Sequence, residues 1–183
     1  MKVLVAYASK HGATKGIADF IGARLRQGGT QVDVLDVGQV KSVGDYDAFV
    51  IGSAVYMFHW QKEATRFVSR NKSVLSARPV WLFSSGPVGK EKLNPEGQDL
   101  LDPLVSGPKE IEELREELHP RDHRIFFGVL DPAKLGFFYN QLRKSATVRE
   151  SLPEGDFRDW KEIEAWTIEI ARSLEETPPA SVK

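Results

Sequence analysis

The 183-residue chain contains no cysteine. Disulfides, thiol catalysis, Cys-ligated zinc and Cys-held iron–sulfur clusters are therefore excluded. Charge of one sign is also missing: 25 basic against 26 acidic side chains leave a net charge of −1. Without a basic excess, nucleic acid is not expected as a partner. No segment approaches the roughly 20 apolar residues of a membrane span. No secretory leader is expected, because Lys2 precedes a very short apolar run that stops at Ser9. A cytoplasmic location is expected. The four histidines and the carboxylates show no metal-ligand spacing, so no metal is expected. Internal repeats are absent, and only the Pro-rich end after Thr177 lacks a folding pattern. Residues 1–176 are expected to form one domain, and 177–183 a flexible tail.

What is present begins at Val3–Ile21, VLVAYASKHGATKGIADFI. An apolar run from Val3 to Ala8 gives way to small and polar residues, Ser9 to Thr14. Ile17, Ile21 and Leu25 then recur four residues apart. That order describes a buried strand, a tight loop and a helix whose first turn faces the loop. Free N–H groups and the positive end of the helix dipole make such a place an anion site. Ser9 and Thr14 add hydroxyls, and Gly12 admits close approach of the backbone. The loop is not a Walker loop, since Lys10 precedes the glycine and no Gly-Lys-Ser/Thr follows. Nor does it carry the three glycines that pass a pyrophosphate in dinucleotide folds. One glycine flanked by hydroxyl residues suits a single terminal phosphate.

Further strands are expected at Gln31 to Val37 (an edge strand), Ala48 to Ser53, Val80 to Ser84 and Ile125 to Leu130. Helices are expected around Ala64, Phe67, Val68 and Leu75, and around Ile111, Leu114 and Leu118. A long final helix begins near Trp160. There Asp159 and Glu162 form a capping box, and Ile163, Trp166, Ile170 and Leu174 form the apolar stripe. Five strands alternating with helices imply a parallel sheet covered on both faces, with a ligand beyond the carboxyl ends of its strands. Three strands end in small or aromatic residues suited to that role. They are followed by Ser9 to Thr14, by Gly52 to Trp60, and by Ser84 to Gly89.

The loop Ser9-Lys10-His11-Gly12-Ala13-Thr14 after an N-terminal strand resembles the FMN-phosphate loop of the flavodoxin-like family. The resemblance implies an α/β, doubly wound, five-stranded parallel sheet of order 2-1-3-4-5 with helices on both faces. It implies that Ser9, Lys10, His11, Gly12, Ala13 and Thr14 hold the phosphate. Ser53, Ala54, Val55, Tyr56, Met57 and Phe58 would meet the isoalloxazine, and Ser84, Ser85, Gly86, Pro87 and Gly89 would line its pyrimidine edge. Tyr56 and Phe58 offer ring faces for stacking, whereas Trp60 reads as core.

Within that family the chain is most similar to menaquinone-dependent protoporphyrinogen dehydrogenases and their flavodoxin-domain relatives. The likeness lies in Lys2-Val3-Leu4, in Ile51 to Tyr56 with His59 three residues on, and in the Asp159-Trp160 helix. An aromatic, basic insertion from Ala133 to Val148 adds to it. The chain departs from those enzymes at Tyr56, where they often carry a basic residue, and in the Gly86-Pro87-Val88-Gly89 loop. The resemblance implies a flavin-dependent oxidoreductase exchanging electrons with a small acceptor such as a quinone or porphyrinogen. Its alternatives are a flavodoxin-type carrier, a deazaflavin F420 oxidoreductase and a non-catalytic flavin-binding module. A net charge of −1 supplies little of the field with which carriers steer onto basic partners. His59 is the candidate proton donor. His11 reads as a solvent-facing loop residue, and His119 and His123 as surface residues of a polar linker. Phe137, Phe138 and Tyr139, with Arg143 and Lys144, suggest peripheral contact with an anionic membrane. The sequence does not determine the oligomeric state.

Overall fold

The computed structural model describes residues 1–86, 88, 93, 96–102, 107–134 and 154–177. Five parallel strands form the sheet: β1 (Lys2–Ala8), β2 (Gln31–Asp36), β3 (Ala48–Tyr56), β5 (Val80–Ser85) and β6 (Asp122–Phe126). A two-residue strand, β4 (His59–Trp60), folds back antiparallel on the end of β3. The order across the sheet is β2-β1-β3-β5-β6, which is 2-1-3-4-5 once the β4 hairpin is set aside. A separate pair, β7 (Val129–Leu130) and β8 (Gly155–Asp156), lies beyond the last strand.

Each central strand is apolar on both sides because each side has its own helical cover. Alternate residues of β1 go to opposite layers. Leu4, Ala6 and Ala8 pack with Phe49, Ile51 and Leu82 beneath α2 (Lys62–Leu75) and α3 (Ile111–Leu118). Val3, Val5 and Tyr7 pack with Val50, Trp81 and Phe83 beneath α1 (Ala13–Gln27) and α4 (Trp160–Glu175). The helical stripes expected from spacing are the buried ones: Ile17, Ile21 and Leu25 in α1, and Ile163, Trp166, Ile170 and Leu174 in α4. Asp159 caps α4, its carboxylate accepting from the amides of Lys161 and Glu162 at 3.0 and 3.2 Å. Gly52 is required by packing, since a Cβ there would stand 1.9 Å from the Phe83 ring.

The fifth parallel strand departs from its expected position. It occupies Asp122–Phe126 instead of Ile125 to Leu130, and Phe127-Gly128 separates it from β7. Its first half, Asp-His-Arg, reads as a linker by composition, yet the edge position and side-chain partners accommodate all three. Asp122 accepts from the Trp166 indole at 2.8 Å and from Arg124 Nε at 2.8 Å. Burial alone would raise the Asp122 carboxyl, but these bonds outweigh it and hold the group below the usual range.

His123 is likewise not a surface residue. It is buried at 5% exposure, with Nε2 2.9 Å from Ser84 Oγ, which in turn accepts from the Trp60 indole at 2.8 Å. Burial, reinforced by the charge of Arg115, pushes its imidazole down to about 4. His119 is exposed as expected, in the left-handed conformation that ends α3. Of the expected membrane-facing insertion, Ala133 and Lys134 lie in a short 3-10 turn, and residues 135–148 fall outside the described residues. So does the tail from 178 onward. Among the described residues no helix is long and apolar enough to cross a membrane, and no cluster of His, Asp and Glu could hold a metal ion.

Candidate functional site

The loop after β1 is organised by its own side chains. Ser9 Oγ accepts the Gly12 amide at 3.0 Å, a tight turn that places Gly12 at φ 91°. That left-handed conformation favours glycine. A Cβ at Gly12 would meet nothing within 4 Å, so the backbone borders open space. The Gly16 amide donates to Gly12 carbonyl at 3.0 Å and begins α1. The amides of Ala13 and Thr14, in the first helical turn, have no acceptor within the helix. Thr14 is fully buried, and among the described residues its hydroxyl has no partner. A buried hydroxyl without a partner costs about 1–3 kcal/mol, so a ligand that engages it gains that much.

At the carboxyl ends of the strands lies a cavity of about 400 Å³. Ser9, His11, Ala13 and Thr14 form one wall, and Ala54, Val55, Tyr56 and Met57 a second. Ser85, Gly86 and Val88 form a third. Gly128, Val129, Leu130 and Asp131 supply a fourth wall that the sequence reading did not include. The strand-end rule reaches this wall only with β6 ending at Phe126, since a strand expected to run to Leu130 takes Gly128, Val129 and Leu130 into itself. Hydroxyls cluster at the helix end of this cavity, and aliphatic side chains with Tyr56 make up most of the rest.

The expected site residues divide on inspection. Ser53 and Ser84 are buried structural hydroxyls outside the cavity: Ser53 Oγ accepts the Gln61 amide at 2.9 Å, and Ser84 bridges Trp60 and His123. Pro87 and Gly89 fall outside the described residues. Trp60, at 3% exposure, is core. Lys10 does not line the cavity, but its ammonium stands 5.6 Å over the Tyr56 ring. His11 is not merely solvent-facing. It is half-buried, lines the cavity and meets the Tyr56 ring edge-on at 6.2 Å between centroids. Burial and the charges of Lys10 and Lys134 push its imidazole down. Burial also raises the Tyr56 phenol, which is thus a neutral donor.

Met57 and Phe58 turn the β3–β4 hairpin with φ 50° and 63°. Non-glycine residues in this region cost on the order of 1–3 kcal/mol each and persist only where neighbours enforce them. The enforcement is visible. Phe58 carbonyl accepts the Lys109 amide at 2.8 Å, and Glu110 accepts the Trp60 amide at 3.2 Å while standing 2.8 Å from His59 Nδ1. His59 therefore faces Glu110 and is not among the cavity-lining residues. The turn leaves Met57, which lines the cavity, 89% exposed and Phe58, which was expected to line it and does not, 56% exposed.

A family model for the flavodoxin domain matches residues 4–146. Protoporphyrinogen IX dehydrogenase [quinone] of Escherichia coli K12 is 28% identical over 100 residues, 52% of this chain and 55% of that protein. The matched segment thus spans about half the length of the curated relative. A flavodoxin from the domain Archaea superposes with a TM-score of 0.58 at 17% identity, over 96% of this chain and 99% of that one. Rubredoxin:oxygen oxidoreductase of Desulfovibrio gigas gives 0.60 at 13% identity, over 96% of this chain and 36% of that one. These structures establish the fold, and with most of the chain matched by the family model, the protein belongs to the flavodoxin-domain family.

Proposed function

We propose that the cavity holds FMN and that the protein is a flavin-dependent oxidoreductase serving a small acceptor of the quinone or porphyrinogen type. The observation that carries this reading is the Thr14 hydroxyl: buried, without a partner among the described residues, and set at the polar end of an otherwise apolar cavity. The donor set fits a phosphorylated flavin. Ser9, Thr14 and the amides of the α1 first turn would hold the phosphate, and Tyr56 and the aliphatic walls would hold the ring system. The comparisons give the deazaflavin alternative no support.

The bound flavin would supply the electron chemistry, and the protein its position and surroundings. Tyr56, gripped by Lys10 and His11, lines the cavity. Val55, Val129 and Leu130 would shield the ring system from water. Met57 and Phe58 offer an apolar approach for an acceptor with little polar surface. His59 is assigned to holding that approach through Glu110 instead of donating a proton.

The test is the visible spectrum of the purified protein after reconstitution, followed by reduction of a soluble quinone under single-turnover conditions. Bound oxidised flavin and quinone-dependent reoxidation are expected. A protein that takes up FMN and reduces only protein acceptors would return the reading to an electron carrier.

A further inference from the structure

Three basic side chains come together beside the phosphate end of the cavity. His11 lies in the wall beside Thr14, and Lys10 and Lys134 are the charges that act on its imidazole. The facing groups on other elements are Tyr56 of β3, whose ring His11 meets edge-on, and Asp131, which lies 3.6 Å from Lys134. The Arg158 guanidinium approaches the Ala13 carbonyl at 3.4 Å but is paired with Asp156. A half-buried imidazole beside two ammonium groups is held neutral. A dianion seated on Thr14 and the α1 first turn reverses that balance, because an opposite charge close by favours the protonated ring. The Tyr56 ring can receive the charged imidazole as well as the neutral one.

We propose that His11 takes up a proton from solvent when a phosphate dianion binds, so that the site selects phosphorylated over unphosphorylated flavin by a pH-dependent margin. The proposal rests on the FMN reading above and adds a chain-specific residue to it. Linkage sets the sign: a group protonated more readily in the complex than in the free protein makes binding weaken as pH rises. Above about pH 6.5 the phosphate is already largely dianionic, so its own titration adds little there.

The experiment is calorimetric titration of FMN and of riboflavin into the intact protein at pH 6.5, 7.5 and 8.5, each in two buffers of different ionisation enthalpy. FMN affinity is expected to fall about tenfold across that range while riboflavin affinity stays flat, with proton uptake seen for FMN alone. His11→Asn should abolish both the fall and the uptake. His11→Lys, a fixed charge, should keep FMN affinity high and level, and far-UV dichroism checks that both variants are folded. A flat FMN-to-riboflavin ratio in the parent, or unchanged proton uptake in His11→Asn, overturns the role of His11 alone. Failure of FMN to bind at any pH overturns the flavin reading and this role with it.

Discussion

Acidification should destabilise this protein well before its carboxylates titrate, and the cause should be His123. Ser84 Oγ already accepts from the Trp60 indole, so its hydrogen is best placed on His123 Nε2, with the ring proton on Nδ1. Nδ1 has no partner among the described residues in either tautomer, and the opposite tautomer would leave the Ser84 hydroxyl hydrogen without one as well. In the folded protein the imidazole is pushed down to about 4, against an ordinary value of 6.5. The unfolded chain therefore takes up the proton first as pH falls, and folding stability declines between pH 6.5 and about 4. Above 6.5 this penalty is absent. At about 1.4 kcal/mol per pH unit the loss is roughly 3 kcal/mol, a large share of the 5–15 kcal/mol typical of a domain. His11, also pushed down, acts in the same direction but is less buried. Asp33, Asp122 and Asp156 are held below their usual value of 3.8, so their contribution is lost at lower pH. The assay is urea denaturation at pH 7.0 and pH 4.5 at constant ionic strength, for the parent and His123→Leu. The variant loses one hydrogen bond, about 1 kcal/mol at pH 7, but should lose much less stability than the parent on acidification. Equal losses in the two proteins would refute the argument.

Gly52→Ala should destabilise by about 1–3 kcal/mol, because the new methyl must displace the fully buried Phe83 ring; thermal unfolding would show it. Glu110→Ala removes both carboxylate contacts to the β3–β4 hairpin, so exchange of the Trp60 amide should quicken by about tenfold or more while β1 amides stay protected. Unchanged exchange at Trp60 would mean that the Lys109–Phe58 bond holds the turn alone.

Much of the fold was legible because its signals are periodic. β1 is apolar from Val3 to Ala8 since both sheet faces are covered there, and Ile163, Trp166, Ile170 and Leu174 keep the spacing of the face they bury. Trp60 was rightly read as core, although the sequence could not show that its indole anchors a buried chain through Ser84 to His123. The start of β6 escaped notice because its Asp-His-Arg segment is stabilised by partners remote in sequence, Trp166 and Ser84. Without that strand's true end, Gly128 to Asp131 could not be assigned to the cavity. His59 and Phe58 were placed in the right loop but on the wrong side of it. The left-handed pair Met57-Phe58, which turns them outward, has neither the Asn nor the Gly that usually announces such a turn.

The central claim is that Thr14 and the amides around it receive a terminal phosphate. It is tested most directly by the dissociation constants of FMN and riboflavin, measured at pH 7 for the parent and for Thr14→Ala. The parent should prefer FMN strongly. The variant should lose about tenfold or more in FMN affinity, since a hydrogen bond to a charged group contributes about 1.5–3 kcal/mol, and its riboflavin affinity should be nearly unchanged. Equal affinity of the parent for the two flavins, or an equal loss for both in the variant, would contradict it.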